Sequence, residues 1–236
     1  MPRTKPGRPT GNHLLDRLPD SELDRLLVDA QLLSFDARDS VDGLGQDGRP
    51  VYFPTSGVYS LLLPMADGNP VEVAVVDSEG MLGIPVALGM DSDPLRAVVQ
   101  SPGYCIQVSP ERFRATLHDR GVLDALVRRF LAVSWQTANQ TIACNLRHTV
   151  KERVGRWLLT VHDRAEADEF VVTQEILSGM VGASRQKVTV VAGQLQAAGS
   201  IRYQRGRVRI LDRASLEASS CDCYRVLRQA HDFLTS

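Results

Sequence analysis

Six basic side chains, Arg185, Lys187, Arg202, Arg205, Arg207 and Arg209, fall between positions 185 and 211 of this 236-residue chain, with no acidic residue among them. Cations clustered in this way neutralise phosphates and release condensed counterions, which suits a polyanion such as DNA. A charge run is also what an ordinary solvated face looks like, so the elements that carry it must decide. The chain as a whole gives no hint, with 27 Lys+Arg against 28 Asp+Glu. The average hides an asymmetry: residues 14–146 hold 10 basic and 18 acidic side chains, and residues 147–213 hold 12 basic and 7 acidic.

The run begins inside the segment Gln174 to Gly193, QEILSGMVGASRQKVTVVAG, whose spacing is that of two short helices crossing at a tight turn. Apolar residues fall at Leu177, Val181, Ala183, Val188 and Val191, and small Ser178 sits where the helices would touch. Thr173 is placed to cap the first helix, and Glu175 puts negative charge in its first turn. Gly182 can take positive φ at the turn, and Ser184 is a natural N-cap for the second helix. The face opposite the apolar positions of that helix carries Arg185, Gln186, Thr189 and Val190. This is a helix-turn-helix pattern, which makes DNA the first partner to consider, although a helix pair in a larger helical core shows the same spacing.

The residues beyond the second helix favour DNA. Ala197-Ala198-Gly199 stops that helix, and Ile201 to Ile210 alternates apolar and basic residues around Gly206, reading as a β-hairpin. A hairpin directly behind a recognition helix makes a winged helix.

The elements upstream differ in texture. Leu14 to Leu33 reads as helical around a start signal at Pro19-Asp20-Ser21. From Phe35 to Val108 short apolar runs are cut by glycine and proline; Val58–Leu63, Val71–Val76, Arg96–Val99 and Tyr104–Val108 are the clearest strands, indicating an antiparallel barrel or roll. A long helix then carries Leu123, Leu126, Phe130, Val133, Thr137, Gln140 and Cys144 at spacings of three and four. Such a seam lets two helices zip together as a dimer, or packs one helix on its own domain. Two-fold DNA sites favour the dimer. Arg147 to Arg164 is expected to be the first helix of the DNA-binding domain.

Composition excludes several classes. No apolar run approaches 18 residues, and the basic, Pro- and Gly-rich start is expected to be a disordered arm over residues 1–13 and not a secretory signal. A cytoplasmic protein with no membrane partner is the expectation. The four cysteines, Cys105, Cys144, Cys221 and Cys223, are too few and scattered for a secreted disulfide framework. Cys221-Asp222-Cys223 alone lacks a partner pair for a zinc site, so an ordinary thiol pair is expected and no metal. No nucleophile-base-orienter set or paired carboxylates point to an enzyme.

A β-roll, a long helix and a winged helix, in that order, resemble the cyclic-AMP receptor and fumarate-nitrate regulator (Crp/Fnr) family of bacterial transcription factors. The segments Val172 to Ile176 and Met180 to Arg185 lie closest to the family's helix-turn-helix signature. The resemblance implies an α+β chain with a cyclic-nucleotide-binding-like β-roll over residues 14–121, a dimerisation helix over 122–146 and a winged helix-turn-helix over 147–213, followed by a tail over 214–236. Its implied partners are double-stranded DNA, a second copy of the chain through Leu123, Leu126, Phe130, Val133 and Thr137, and RNA polymerase.

Carried over by position, Arg185, Gln186 and Val190 are implied to read bases, with Arg185 suited to a bidentate contact with guanine. Thr173, Ser184, Lys187, Thr189, Arg205 and Arg207 complete the DNA-binding set, chiefly on phosphates. The cyclic-AMP receptor has Glu and Arg where this chain has Gln186 and Val190, implying a different operator. A small effector is implied to sit among Gly80, Leu82, Gly83, Arg96, Ala97, Asn139 and Gln140. That effector is not expected to be cyclic AMP: Met81 stands where the family carries a ribose-binding carboxylate, and Ala97 where it carries a hydroxyl residue. The family's iron-sulfur variant needs an N-terminal cysteine cluster, and residues 1–104 contain no cysteine. An effector-independent regulator with a vestigial roll, or a regulatory subunit whose winged helix binds protein, are the alternatives.

Overall fold

Apolar residues in short alternating runs between positions 31 and 108 pair into two sheets. The computed structural model describes residues 9–41, 50–66, 68, 70–90, 93–164 and 168–235. β1 (Gln31–Phe35), β7 (Gly103–Val108) and β3 (Val51–Pro54) form an antiparallel sheet in the order β1-β7-β3, with Leu33 opposite Cys105 and Phe53 opposite Ile106. β2 (Ser40–Val41), β6 (Arg96–Ser101), β4 (Val58–Leu63) and β5 (Val71–Val76) form the second, in the order β2-β6-β4-β5. The chain divides into two compact units, one of residues 1–61, 75–134 and 234–236, the other of residues 62–74 and 135–233.

In the first unit Phe53, Tyr59, Met81, Leu82, Phe113 and Leu123 are fully buried, and the Phe53 and Phe113 rings sit 6.1 Å apart. The helix expected over Leu14 to Leu33 is interrupted. A 3-10 turn at Leu15–Arg17 leads to α1 (Asp20–Leu26), and Leu32 and Leu33 lie on β1. α1 stops at Leu26, Asp29 with a φ of 62° keeps the helix from resuming, and pairing with β7 then outweighs the helix propensity of the leucines.

Residues 1–8 of the expected disordered arm lie outside the described residues, and residues 9–13 are built into the unit. The fully buried Asn12 donates from Nδ2 to the carbonyls of Pro54 at 2.8 Å and Gly80 at 2.9 Å, while its Oδ1 accepts from the amides of Leu14 and Leu15.

A short α2 (Ile84–Ala87) and α3 (Pro110–His118) precede the long helix α4 (Val122–Arg147). Glu22 of α1 supplies the anion that α4 needs at its start, accepting from the amides of Val122 at 3.1 Å and Leu123 at 2.9 Å.

In the second unit α5 (Val150–Arg164), α6 (Gln174–Val181) and α7 (Arg185–Ala197) close over one core with a three-stranded sheet. That sheet is β8 (Glu169–Val171), β10 (Arg207–Ile210) and β9 (Ile201–Gln204), in the order β8-β10-β9. Trp157, Leu158, Leu177, Val181, Val188 and Leu195 are among its buried residues. The Trp157 indole N–H donates to Glu72 Oε1 at 2.9 Å, satisfying both groups in a buried setting.

The segment read as a tail forms α8 (Arg213–Ala218) and α9 (Cys223–Thr235). Tyr224, Leu227 and Ala230 recur on the buried face of α9, and the Tyr224 hydroxyl donates to Asp163 of α5 at 2.7 Å. No helix among the described residues is long and apolar enough to cross a membrane.

Candidate nucleic-acid interface

Both caps of the helix-turn-helix form as its residue types dictate. Thr173 Oγ1 accepts from the amide of Ile176 at 3.2 Å, and Ser184 Oγ accepts from that of Lys187 at 3.4 Å. Gly182 takes φ 58° and ends α6, where its amide meets the carbonyl of Ser178. The turn aims the first two turns of α7 outward. Arg185, Gln186, Lys187, Thr189 and Val190 are all exposed, while Val188 and Val191 on the same helix are buried. Val190 is 61% exposed, an apolar surface on a polar face that suits contact with a thymine methyl.

The wing turns through Arg205 at φ 52° and Gly206 at φ 74°, the conformation of a type I′ hairpin. The sheet has a third strand, β8, beyond the two-stranded hairpin expected from the alternating residues. β8 also carries an acid into the basic face: Glu169 lies opposite Arg209, and its carboxylate reaches Arg207 Nη1 at 3.3 Å and Arg209 Nε at 3.4 Å. On the other side Arg209 faces Arg202 across the ladder, an unfavourable pairing of like charges that Glu169 or an external anion offsets. Thr173, Gln174, Tyr203, Arg205 and Gly206 line a cleft of about 360 Å³ between helix and wing. Tyr203 fixes its floor: its hydroxyl donates to the Val172 carbonyl at 2.9 Å, and burial pushes the phenol up to about 12.

The residues implied to hold an effector differ in exposure. Gly80, Leu82, Gly83 and Ala97 are buried, and so is Met81, where the family carries a carboxylate. Arg96, the cation expected to meet an anionic group, is exposed at the start of β6. Asn139 is exposed, and Gln140 donates from Nε2 to Cys223 Sγ at 3.0 Å.

Of the seam residues on α4, Leu123, Phe130 and Val133 are buried in their own chain, and Leu126 and Thr137 are half-buried. The exposed stripe is offset from them. Trp135, Asn139, Ile142 and Leu146 are exposed at spacings of three and four, with Trp135 at 73% and Leu146 at 80%.

Sequence reasoning also missed a cluster of sulfur and nitrogen. Cys221 and Cys223, expected to be an isolated pair, meet Cys144 and His148 from the end of α4, with Cys144 Sγ 3.6 Å from Cys221 Sγ. The i, i+4 spacing of Cys144 and His148 is visible in the sequence, but not that the tail returns to it.

Residues 152–219 match the Crp-like helix-turn-helix domain. No curated protein sequence matches the chain. Among solved structures, FixK2 from Bradyrhizobium japonicum is 17% identical with a TM-score of 0.69, covering 81% of this chain and 98% of its own. The global regulator CLP of Xanthomonas campestris, described as responsive to c-di-GMP, is 18% identical with a TM-score of 0.66, covering 81% and 99%. A CRP-family transcriptional regulator from Thermus thermophilus is 20% identical with a TM-score of 0.67, covering 81% and 99%. The chain therefore carries a Crp-like helix-turn-helix domain and has the fold of the Crp/Fnr transcriptional regulators.

Proposed function

We propose that this protein is a sequence-specific, non-enzymatic transcriptional regulator that binds double-stranded DNA as a homodimer in the cytoplasm. The observation that carries the reading is the exposed N-terminal face of α7, with Arg185, Gln186, Lys187, Thr189 and Val190 presented together beside a basic wing. A helix of this kind enters the major groove, where Arg185 and Gln186 have the forked donors that read guanine and adenine. In this reading Ser184, Thr173, Lys187, Arg205 and Arg207 contact the backbone. Dimerisation is supported by the exposed stripe on α4, apolar at Trp135, Ile142 and Leu146 and polar at Asn139, that a second copy would cover. RNA polymerase is the proposed onward partner of such a dimer.

Effector gating without cyclic AMP is part of the proposal. Gly80 lies against Phe130 of α4 so closely that an added Cβ would meet the ring at 2.5 Å. A small molecule displacing the turn at residues 80–83 would have to move Phe130, and with it the start of the long helix. The competing reading, a vestigial roll, rests on the buried Met81 and exposed Arg96.

Selection of bound sites from a random duplex library tests the main reading. A two-fold site is expected, with Arg185→Ala relaxing preference at one position per half-site at a cost of about 1–3 kcal/mol. Binding without sequence preference, or unaffected by Arg185→Ala, would overturn it. Titrating metabolite pools against site affinity separates gated from vestigial rolls, since gating requires differential affinity for two states.

A further inference from the structure

Cys144 and His148 lie one helical turn apart at the end of α4, and His148 continues that helix through an amide bond to the Cys144 carbonyl at 3.0 Å. Cys221 and Cys223 enter from the opposite end of the winged-helix segment, the latter as the first residue of α9. All three thiols are buried, at 0%, 7% and 4% exposure. Cys144 Sγ stands 3.6 Å from Cys221 Sγ, Cys223 Sγ stands 3.6 Å from His148 Nδ1, and all four ligand atoms lie within 4.8 Å of one another.

We propose that Cys144, His148, Cys221 and Cys223 form a closed four-ligand site for one zinc-class divalent cation. Geometry decides the nuclearity. Four ligands about 2.3 Å from a single tetrahedral ion sit about 3.8 Å from one another, within the spread observed. A two-iron cluster needs its ligands divided between two separated metal atoms, a wider set than four atoms mutually within 4.8 Å. Softness agrees, because three sulfurs and one imidazole favour zinc over magnesium or calcium. With all four positions taken by protein, the ion has no open site and acts as a structural tie.

Two neighbours complete the arrangement. Gln140 donates to Cys223 Sγ at 3.0 Å, the kind of hydrogen bond that steadies a metal thiolate. Arg156 is buried at 5% exposure, its Nε lacks a hydrogen-bond partner, and its charge acts on Cys144. Three thiolates and a divalent ion carry a net charge of −1, which this guanidinium offsets. The ligands flank residues 152–219, two before and two after the matched domain. The ion would thus fasten the end of α4 to the start of α9 and close the chain around the winged helix, which restrains the unfolded state most when the closed loop is long.

The test uses the full-length chain purified without chelator. One zinc per chain by elemental analysis is expected. After its removal under reducing conditions, cobalt(II) should bind with one-to-one stoichiometry, showing intense tetrahedral ligand-field bands and a thiolate-to-cobalt charge-transfer band. Zinc addition should raise the thermal midpoint of the metal-free chain. Cys144→Ser, Cys221→Ser and Cys223→Ser should each weaken cobalt binding at least ten-fold, Gln140→Ala about ten-fold, and Cys105→Ser not at all. The wild-type stoichiometry and spectrum stand whether or not a variant folds. No stoichiometric metal, an octahedral cobalt spectrum, or a Cys144–Cys221 disulfide in the metal-free isolated chain would overturn the proposal.

Discussion

The Thr189 hydroxyl lies 3.0 Å from Gln174 Oε1 and 2.8 Å from the Arg185 carbonyl, so α7 is joined to the N-terminus of α6 across the face proposed to meet DNA. A residue counted among the DNA contacts thus also sets the angle at which its neighbours are presented. The bond is exposed, and its net worth is about 0.5–1.5 kcal/mol. Thr189→Val and Gln174→Ala are each expected to lower stability by that order and to lower DNA affinity non-additively in a double-mutant cycle, read by urea denaturation and fluorescence anisotropy. Strict additivity in both assays would show that the two side chains act separately.

Glu169 competes with DNA for the wing. While it holds Arg207 and Arg209, neither arginine is fully available to phosphate, and Arg209 gains a neighbour that offsets Arg202. Glu169→Gln is therefore expected to tighten binding to all sequences alike. The slope of log affinity against log salt should steepen by about 1 to 2, one increment per arginine released to the backbone. An unchanged slope would place the wing away from the duplex.

The helix-turn-helix is legible in the sequence because its signals are local: Thr173, Gly182 and Ser184 each satisfy their own turn, whatever lies elsewhere. The strands Val58–Leu63 and Val71–Val76 are legible to the residue for the same reason, each being an apolar run bounded by turn residues. Leu32 and Leu33 mislead because their strand exists only through pairing with Ile106 and Cys105, more than seventy positions away. The α4 seam fails differently. Two stripes of spacing three and four run along one helix, and only tertiary burial shows that Phe130 and Val133 face inward while Trp135 and Ile142 remain exposed. The cysteine cluster is illegible because its halves come from two ends of a folded domain.

The start of α5 is a capping box. Thr149 donates from its amide and hydroxyl to Glu152 Oε2, both at 2.7 Å, and Glu152 returns its own amide to Thr149 Oγ1. These bonds, the hydroxyl first and the amide second, hold the Glu152 carboxyl below its ordinary value of 4.5. A carboxyl lowered in the folded state stabilises it above the unfolded-state pKa, and that contribution fades as pH falls through the folded value. Thr149→Ala should cost about 1 kcal/mol at neutral pH. The gap between variant and wild type should narrow below pH 4.5, and urea denaturation across that range checks it. A gap independent of pH would mean that the carboxylate contributes nothing.

Gly80 gives the most direct test of the proposed path from roll to long helix. A Cβ there would stand 2.5 Å from Phe130 Cε2 and 3.1 Å from Val76 Cγ1, while the Gly80 carbonyl is held by Asn12 and cannot swing aside cheaply. Gly80→Ala is expected to destabilise the chain by about 1–3 kcal/mol through overpacking. Phe130→Leu in the same chain should recover part of that loss, because the clash is with the ring and not with the backbone. If the turn at residue 80 biases α4, Gly80→Ala should also shift operator affinity, and the suppressor should restore it in proportion. Loss of stability with unchanged affinity per folded molecule would confine Gly80 to packing and remove the mechanical support for an effector-gated roll.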